Sequence, residues 1–340
     1  AGGAVDLLAE RISAIGTILN DDAAPATEIG GITILDMAQS LAGSVETPVA
    51  DESLTITRRG AWVSGDGEGG AESITFDDTT ARAYVSNAAS DRIDVLDVSN
   101  PFAPVKVGAF DLTALPGYGE VNSVAAHDGV IAVAVQNVDG GEPGLVALFD
   151  GEGNLLKTVT VGVLPDQLTF SPDGALLLVA NEGEAFYDEI ADTIENAPGT
   201  VSVIDMSAGA ENASVRNTVG FSALDGFEAQ LTALGIHIFE GSDDLPTPTA
   251  SQDIEPEYVA VSPDGTTAYV TLQEVNAVAV IDLTDTGADK PVSLLPLGYV
   301  DFSLIGNEGD FSDRDGAGGS ASISVGNAPV KGLLQPDAIA

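Results

Sequence analysis

The sequence predicts an all-β fold, and three observations carry that expectation. Short β-rich runs recur at a fixed phase, tight turns separate them, and an aspartate closes the third run of every unit. The clearest unit is Asp253 to Leu283. There Tyr258–Val261 leads through the turn Ser262-Pro263-Asp264-Gly265 into Thr267–Leu272, and then into Ala277–Leu283. Proline presets φ at the second turn position and glycine accepts a positive φ at the last, so the turn has a mechanism. Strands this short, joined this tightly, pair as antiparallel meanders.

Four units align. Their first strands are Glu72–Phe76, Asn122–Ala126, Asp166–Phe170 and Glu257–Val261, and a fifth begins at Asp337. Turns follow at Asp77-Asp78-Thr79, His127-Asp128-Gly129, Ser171-Pro172-Asp173-Gly174 and Ser262–Gly265. Second strands are expected at Ala83–Asn87, Ile131–Gln136, Leu176–Asn181 and Ala268–Gln273. Third strands end on Asp97, Asp150, Asp205 and Asp282. Fourth strands are expected at Val105–Phe110, Leu156–Val161, Val215–Phe221 and Val292–Leu297. Four antiparallel strands per unit, repeating at about 45 residues where nothing is inserted, is the pattern of β-propeller blades. A β-sandwich is the alternative, but it does not repeat one turn at fixed phase. Because four blades do not close a ring, Leu54–Val63 is expected to supply the outer strand of the last blade.

Three inserts interrupt the repeat. Glu182–Pro198 is acidic, Ala223–Ile254 carries a short helix near Phe227–Leu234 with Asp225 and Glu228 spaced as a capping box, and Tyr299–Pro329 is rich in Gly and Asp. Loops this long within a compact fold are functional or mobile. Ahead of the repeats, residues 26–52 read as a linker with one apolar segment, Ile32–Leu41.

Composition narrows the partners. The 340 residues hold 53 acidic and 11 basic side chains, a formal net charge of -42, with 44% hydrophobic content, enough for a core. Such a surface repels nucleic acid and anionic membranes, which need Lys and Arg. It attracts cations, and carboxylates are hard oxygen ligands suited to calcium, with magnesium second. Adaptation to salt water explains the same charge. No cysteine is present, so disulfides and thiolate chemistry are excluded. No apolar run reaches membrane-spanning length. The absence of an initial Met and the fifth repeat beginning at Asp337 are expected of a piece of a longer polypeptide.

Family resemblances sharpen this. Ile15–Asp22 resembles the closing strand of a Calx-beta domain, whose last acidic residues help bind calcium, so residues 1–25 are expected to be the tail of one. The turn Ser262–Gly265 with Tyr269-Val270-Thr271 and Val280–Leu283 resembles YVTN-type propeller repeats. From about Gly60 to Ala340 the chain resembles the bacterial choice-of-anchor I extracellular domain, related to mesenchyme-specific cell-surface glycoproteins. The runs that carry it are Leu164-Pro165-Asp166, Ala180–Glu184, Glu255–Tyr258, Leu295–Gly298, Ser312–Gly316 and Pro329–Ala340. The resemblance implies a secreted or surface-anchored propeller over residues 53–340, seven-bladed when complete. Members of that family are described as alkaline phosphatase-like or are joined to nucleotidase or nuclease domains, and the resemblance implies no settled activity for the propeller itself.

Three carboxylate groupings stand out. Glu72, Asn122, Asp166, Glu257 and Asp337 hold one position just before the innermost strand of each blade, so they are expected to converge on the channel mouth. Crowded carboxylates repel and must be protonated, hydrated or bridged by a cation. Asp310, Ser312, Asp313 and Asp315 ahead of Gly316 offer oxygen ligands near a turn, although the spacing departs from an EF-hand loop and Arg314 can neutralise part of them. Asn181, Glu182 and Glu184 form an acidic loop whose simplest role is solvation. Enzymatic signatures are sparse. His127 and His237 have no evident partner, and no HExxH, GxSxG or Walker-type motif occurs. Asn212-Ala213-Ser214 is a glycosylation sequon that matters only in a eukaryotic secretory setting.

The expected function is a calcium-dependent surface module of a larger secreted bacterial protein, binding or structural in role. Its expected partners are other domains of the same polypeptide, a surface protein or glycan ligand, or further copies of itself. The rival is a metal-dependent phosphoesterase using Glu72, Asp166, Glu257 and Asp337. A surface layer or filament subunit is the third reading.

Overall fold

Side chains alternate across a strand, so a blade apolar at successive positions must cover both faces. The second strands are of this kind, as in Leu176-Leu177-Leu178-Val179-Ala180. The computed structural model describes residues 26–29, 32–35, 60–188, 193–239, 247–286, 292–312, 314 and 322–340. A short hairpin, β1 (Ala26–Ile29) and β2 (Ile32–Leu35), precedes the blades. Blade 1 is β3 (Ile74–Asp77), β4 (Arg82–Asn87), β5 (Arg92–Asp97) and β6 (Val105–Asp111). Blade 2 is β7 (Tyr118–His127), β8 (Val130–Asn137), β9 (Pro143–Asp150) and β10 (Leu155–Val163). Blade 3 is β11 (Pro165–Phe170) and β12 (Leu176–Asn181), then a hairpin of β13 (Phe186–Asp188) and β14 (Thr193–Glu195), then β15 (Thr200–Asp205) and β16 (Ser214–Gly220). Blade 4 is β17 (Pro256–Val261), β18 (Thr267–Leu272), β19 (Ala277–Asp282) and β20 (Val292–Pro296).

Each blade has four antiparallel strands in chain order, blade 4 within a six-stranded sheet that β1 and β2 extend, and the four sheets remain separate rather than closing into one barrel. First strands adjoin in series, β3 against β7, β7 against β11 and β11 against β17. This is propeller architecture. A sandwich would instead bury one face of each of two sheets.

The cores lie between blades. Tyr84, Ile93, Val95 and Phe110 of blade 1 pack on Ile131, Val133, Val135 and Phe149 of blade 2. The opposite face of blade 2, through Ala132, Ala134, Val146 and Leu148, meets Leu177, Val179 and Ile204 of blade 3. Leu178, Ala180 and Val201 then meet Ala268, Val270, Leu272 and Ile281 of blade 4. The outward face of blade 1 has only a small cluster, Ala83, Val85 and Leu96 with Trp62 and Val98 against it. Ile74 stays 67% exposed there.

The repeated aspartates prove to be turn formers. Asp97, Asp205 and Asp282 each accept the backbone N–H two residues on, at 2.9, 2.9 and 2.8 Å. That is the Asx turn joining third to fourth strands. Ser171 and Ser262 each donate Oγ–H to the turn aspartate, at 2.7 Å in both. Gly174 and Gly265 close these turns at φ +67° and +73°.

Several expectations need correction. Of the expected ring-closing segment Leu54–Val63, residues 60–63 form no strand and Trp62 rests on the face of blade 1, while 54–59 lie outside the described residues. Within the expected linker, β2 joins the edge of β20 in parallel, pairing Thr33 with Ser293 and Ile34 with Leu294. Helix α1 (Glu228–Ala233) begins after Phe227 with no side-chain cap. Asp225 accepts from Ser251 N and Oγ, and Glu228 accepts from Gly226 N and Ala250 N. Both carboxylates tie the insert together rather than closing their own helix. The capping box belongs to α2 (Ala250–Asp253), between Thr249 and Gln252. The Calx-beta-like residues 1–25 lie outside the described part of the chain.

The described residues of the third insert form two small pairs with the segment after it, β21 (Tyr299–Asp301) with β24 (Lys331–Leu333), and β22 (Gly309–Asp310) with β23 (Val325–Gly326). Asn276 anchors this segment. Fully buried at φ +54°, it donates Nδ2–H to Gly298 O at 2.7 Å and accepts Leu334 N–H and Gln335 N–H at 2.9 and 3.0 Å. Asn276→Ala removes these bonds and places a Cβ without compensation in a left-handed turn. We expect a loss of about 2–3 kcal/mol in denaturant unfolding. A loss under about 0.5 kcal/mol, typical of a neutral surface change, would refute the anchor.

Candidate functional site

Strand pairing brings three carboxylates to one end of blades 3 and 4. Asp166 is the second residue of β11 and Glu257 the second of β17, and these strands adjoin. Glu182 follows the end of β12, where Glu182 N–H and Gly183 N–H donate to Leu164 O and Val163 O at 3.0 and 3.2 Å. That pairing holds the loop beside the start of β11. Gly199 lets the chain pass close to Ile254 O and Pro256, where any Cβ would collide. As a result, carboxylate oxygens of Asp166, Glu182 and Glu257 all lie within 4.8 Å of one another, each residue half-buried.

Among the described residues, the charges that act on Asp166, Glu182 and Glu257 are all acidic. Burial pushes the Asp166 carboxyl up to about 6, with Asp337 adding to it. Burial lifts Glu182 to about 9, reinforced by Asp166, Glu257, Glu184 and Glu255. Glu255 rises to about 8 and Glu257 to about 7, by burial first and by Glu274 next. Glu274 is raised too, chiefly by burial, and its Oε2 is buried with no hydrogen-bond partner among the described residues. The contrast is Asp94 in blade 1, which is fully buried. Burial opposes its ionisation, but hydrogen bonds from Arg92, Lys106 and Asn87 outweigh that and hold its carboxyl below the usual range. Neighbours, rather than burial alone, separate the two cases.

The candidate residues disperse in an instructive way. Asp166, Glu257 and Asp337 of the first grouping act on one another electrostatically. Glu72 is exposed and lines a hollow of about 280 Å³ on the outward face of blade 1, with Trp62, Ile74 and Val85. Asn122 donates Nδ2–H to Pro165 O at 2.8 Å, bracing the strand that carries Asp166. Asn181 is fully buried; its Oδ1 accepts Gly162 N–H and its Nδ2 donates to Thr200 O and Ser202 Oγ, so it works as a strand-end clamp. Glu184 is exposed and adds negative charge to Glu182, Glu255 and Glu257. In the loop grouping, Asp310 Oδ2 accepts Ser324 N–H at 3.3 Å and Ser312 Oγ accepts Arg314 N–H at 3.1 Å. Asp313 and Asp315 lie outside the described residues.

Sequence reasoning missed Glu255, Glu274 and Asp253. Glu255 sits two residues from Glu257 across a proline, and Glu274 follows the end of β18 much as Glu182 follows β12. Comparing the ends of second strands, and not only the starts of first strands, would have found Glu274. His127 stacks on Phe170 with ring centroids 5.6 Å apart, and its Nε2 lies 3.6 Å from Asp128.

These carboxyls give a pH dependence of definite sign. Their folded-state pKa values lie above the unfolded ones, so between about pH 4.5 and 9 the folded chain holds more protons than the unfolded chain. In chelator, stability should therefore fall as pH rises from 5 to 8. Thermal melting at both pH values checks this, and a higher midpoint at pH 8 would contradict the uncompensated cluster.

Comparison with known proteins follows from this architecture. No curated protein matches the chain. Among solved structures, a putative 6-phosphogluconolactonase from Bacteroides uniformis aligns at TM-score 0.40 and 12% identity, over 65% of this chain and 53% of that one. Hydrazine synthase of Kuenenia stuttgartiensis aligns at 0.35 and 13%, over 63% and 64%. A hypothetical selenium-binding protein from Sulfolobus tokodaii aligns at 0.32 and 13%, over 62% and 58%. The chain thus spans less than two thirds of the length of each. A family model, the choice-of-anchor I domain, matches residues 72–340, which takes in all four blades and the candidate cluster. No helix among the described residues is long and apolar enough to cross a membrane. The chain belongs to the choice-of-anchor I family, a family of extracellular or cell-surface modules.

Proposed function

We propose that the chain is a cation-stabilised binding or structural module of a bacterial cell-surface protein, with Asp166, Glu182 and Glu257 holding one divalent ion. The carrying observation is their mutual separation of at most 4.8 Å. Oxygens bound to one calcium at 2.3–2.6 Å can lie no more than about 5 Å apart, so one ion can bridge all three. The donor set is all hard oxygen, without nitrogen or sulfur, which suits calcium and, with more retained water, magnesium. Asp337 and Glu255 stand nearby as further negative charge. A bound cation reverses the electrostatics, because it favours the ionised carboxylates that burial and repulsion disfavour.

The ion then does structural work. It joins β11 of blade 3, the loop after β12, and β17 of blade 4, and so braces one inter-blade junction at the end where first strands begin. Calcium is expected to raise the melting midpoint by several degrees, and EGTA to abolish the gain, since about 1 kcal/mol moves a domain this size by a few degrees. Glu257→Gln should remove most of the calcium effect. An unchanged midpoint in calcium would sink the proposal.

The phosphoesterase reading draws less support. Glu72 stands apart from the other three, on the outward face of blade 1, and the charges that act on Asp166, Glu182 and Glu257 are acidic rather than histidine. Purified protein with calcium or magnesium is expected to show no turnover of p-nitrophenyl phosphate or its bis ester. Turnover lost in Glu257→Gln would reverse this choice.

A further inference from the structure

A second concave region, apart from the carboxylate cluster, lies on blade 2 against the connection from β6 to β7. It is a half-open hollow of about 310 Å³, bounded by Pro116, Gly117, Val135 to Asn137, Pro143 to Leu145, Thr158 and Thr160. This is at the small end of ligand pockets, the size for one compact molecule. We propose that it binds a neutral sugar ring or polyol, through the hydroxyls of Thr158 and Thr160 and the amide of Asn137.

Charge narrows the ligand first. None of the bounding residues is charged, so the hollow offers no carboxylate for a cation and no Lys or Arg for a phosphate, sulfate or carboxylate. The net charge of -42 opposes anionic ligands further. What remains is a ligand recognised by neutral hydrogen bonds over a small apolar surface. Leu145, Pro116 and Pro143 supply such a surface for the C–H face of a ring.

Geometry supports the same reading. Thr158 and Thr160 are alternate residues of β10, paired with Ala147 and Leu145, so they present two hydroxyls on one face of the strand. Asn137 is pre-set, its Oδ1 accepting Asp139 N–H at 3.0 Å and its Nδ2 donating to Pro143 O at 3.1 Å. Each of its amide atoms still has capacity for one more hydrogen bond. Both flanking strands break register here, β10 between Thr160 and Val163 and β7 between Tyr118 and Glu120. Bulges re-aim side chains and are enriched beside binding sites. Gly117, at φ +65°, keeps the rim open where a Cβ would stand 3.4 Å from Asn137 Nδ2.

Saturation-transfer NMR on the whole chain with glucose, galactose, mannose, N-acetylglucosamine and myo-inositol tests this. Transfer to at least one of them, with dissociation constants in the millimolar range, is expected. The double substitution Thr158→Val, Thr160→Val should weaken it at least tenfold while circular dichroism stays that of the parent. Thr158→Val serves as the second variant if that pair misfolds. Binding should be equal in calcium and in EGTA, so this proposal and the cation site fail separately. No transfer from any of the five probes overturns the proposal, as does transfer that survives the substitutions.

Discussion

Every blade here must be covered on both faces, and the rest of the structure depends on that constraint. The second and third strands are apolar at consecutive positions, so alternate side chains supply two cores rather than one core and a wet surface. Tyr84 and Val85 show it within a single step, the first packed toward blade 2 and the second toward the outward cluster with Trp62. Stacking blades about a common line satisfies the constraint three times over. It also brings the beginnings of the first strands together, and with them whatever polar residues precede those strands.

That convergence creates the electrostatic problem of the molecule. Asp166 and Glu257 cannot separate without parting β11 from β17, whose neighbours make up the largest of the inter-blade cores. Glu182 is fixed by main-chain hydrogen bonds from its loop, and Gly199 brings Ile254 and Pro256 close enough to deliver Glu257. Apolar burial therefore holds the carboxylates at a separation their charges oppose. Two outlets exist, proton uptake or a bridging cation, and both predict that this end of the ring responds to its ionic surroundings. In Asp94 the same burial is resolved with Arg92 and Lys106. With 11 basic residues in the whole chain, that solution is scarce.

Much of the fold was legible in the sequence because its cues are local. Third strands end where expected, at Asp97, Asp150, Asp205 and Asp282, since an Asx turn needs only the aspartate and the next two residues. The turns at Ser171–Gly174 and Ser262–Gly265 were legible for the same reason. Asp225 and Glu228 misled because a capping box and a long-range tie use the same residue types; Ser251 and Ala250 lie more than twenty positions away in sequence. Glu182 was read as part of a solvated loop because nothing in residues 182–184 reveals that β17 passes beside them.

The sequence by itself determined the repeat, the four-stranded blades, the turn chemistry and a strongly negative net charge. Those follow from strand period, backbone preference and net charge, which are properties of neighbouring residues or of the sum. Only the tertiary structure decided which carboxylates meet. Glu72 and Glu257 hold the same place in their repeats. One borders an apolar hollow and the other a cluster of acids, because blade 1 turns its outward face to Trp62 while blade 4 packs against blade 3. Charge repulsion depends on distance in space, and that distance is set by inter-blade packing that no single repeat encodes.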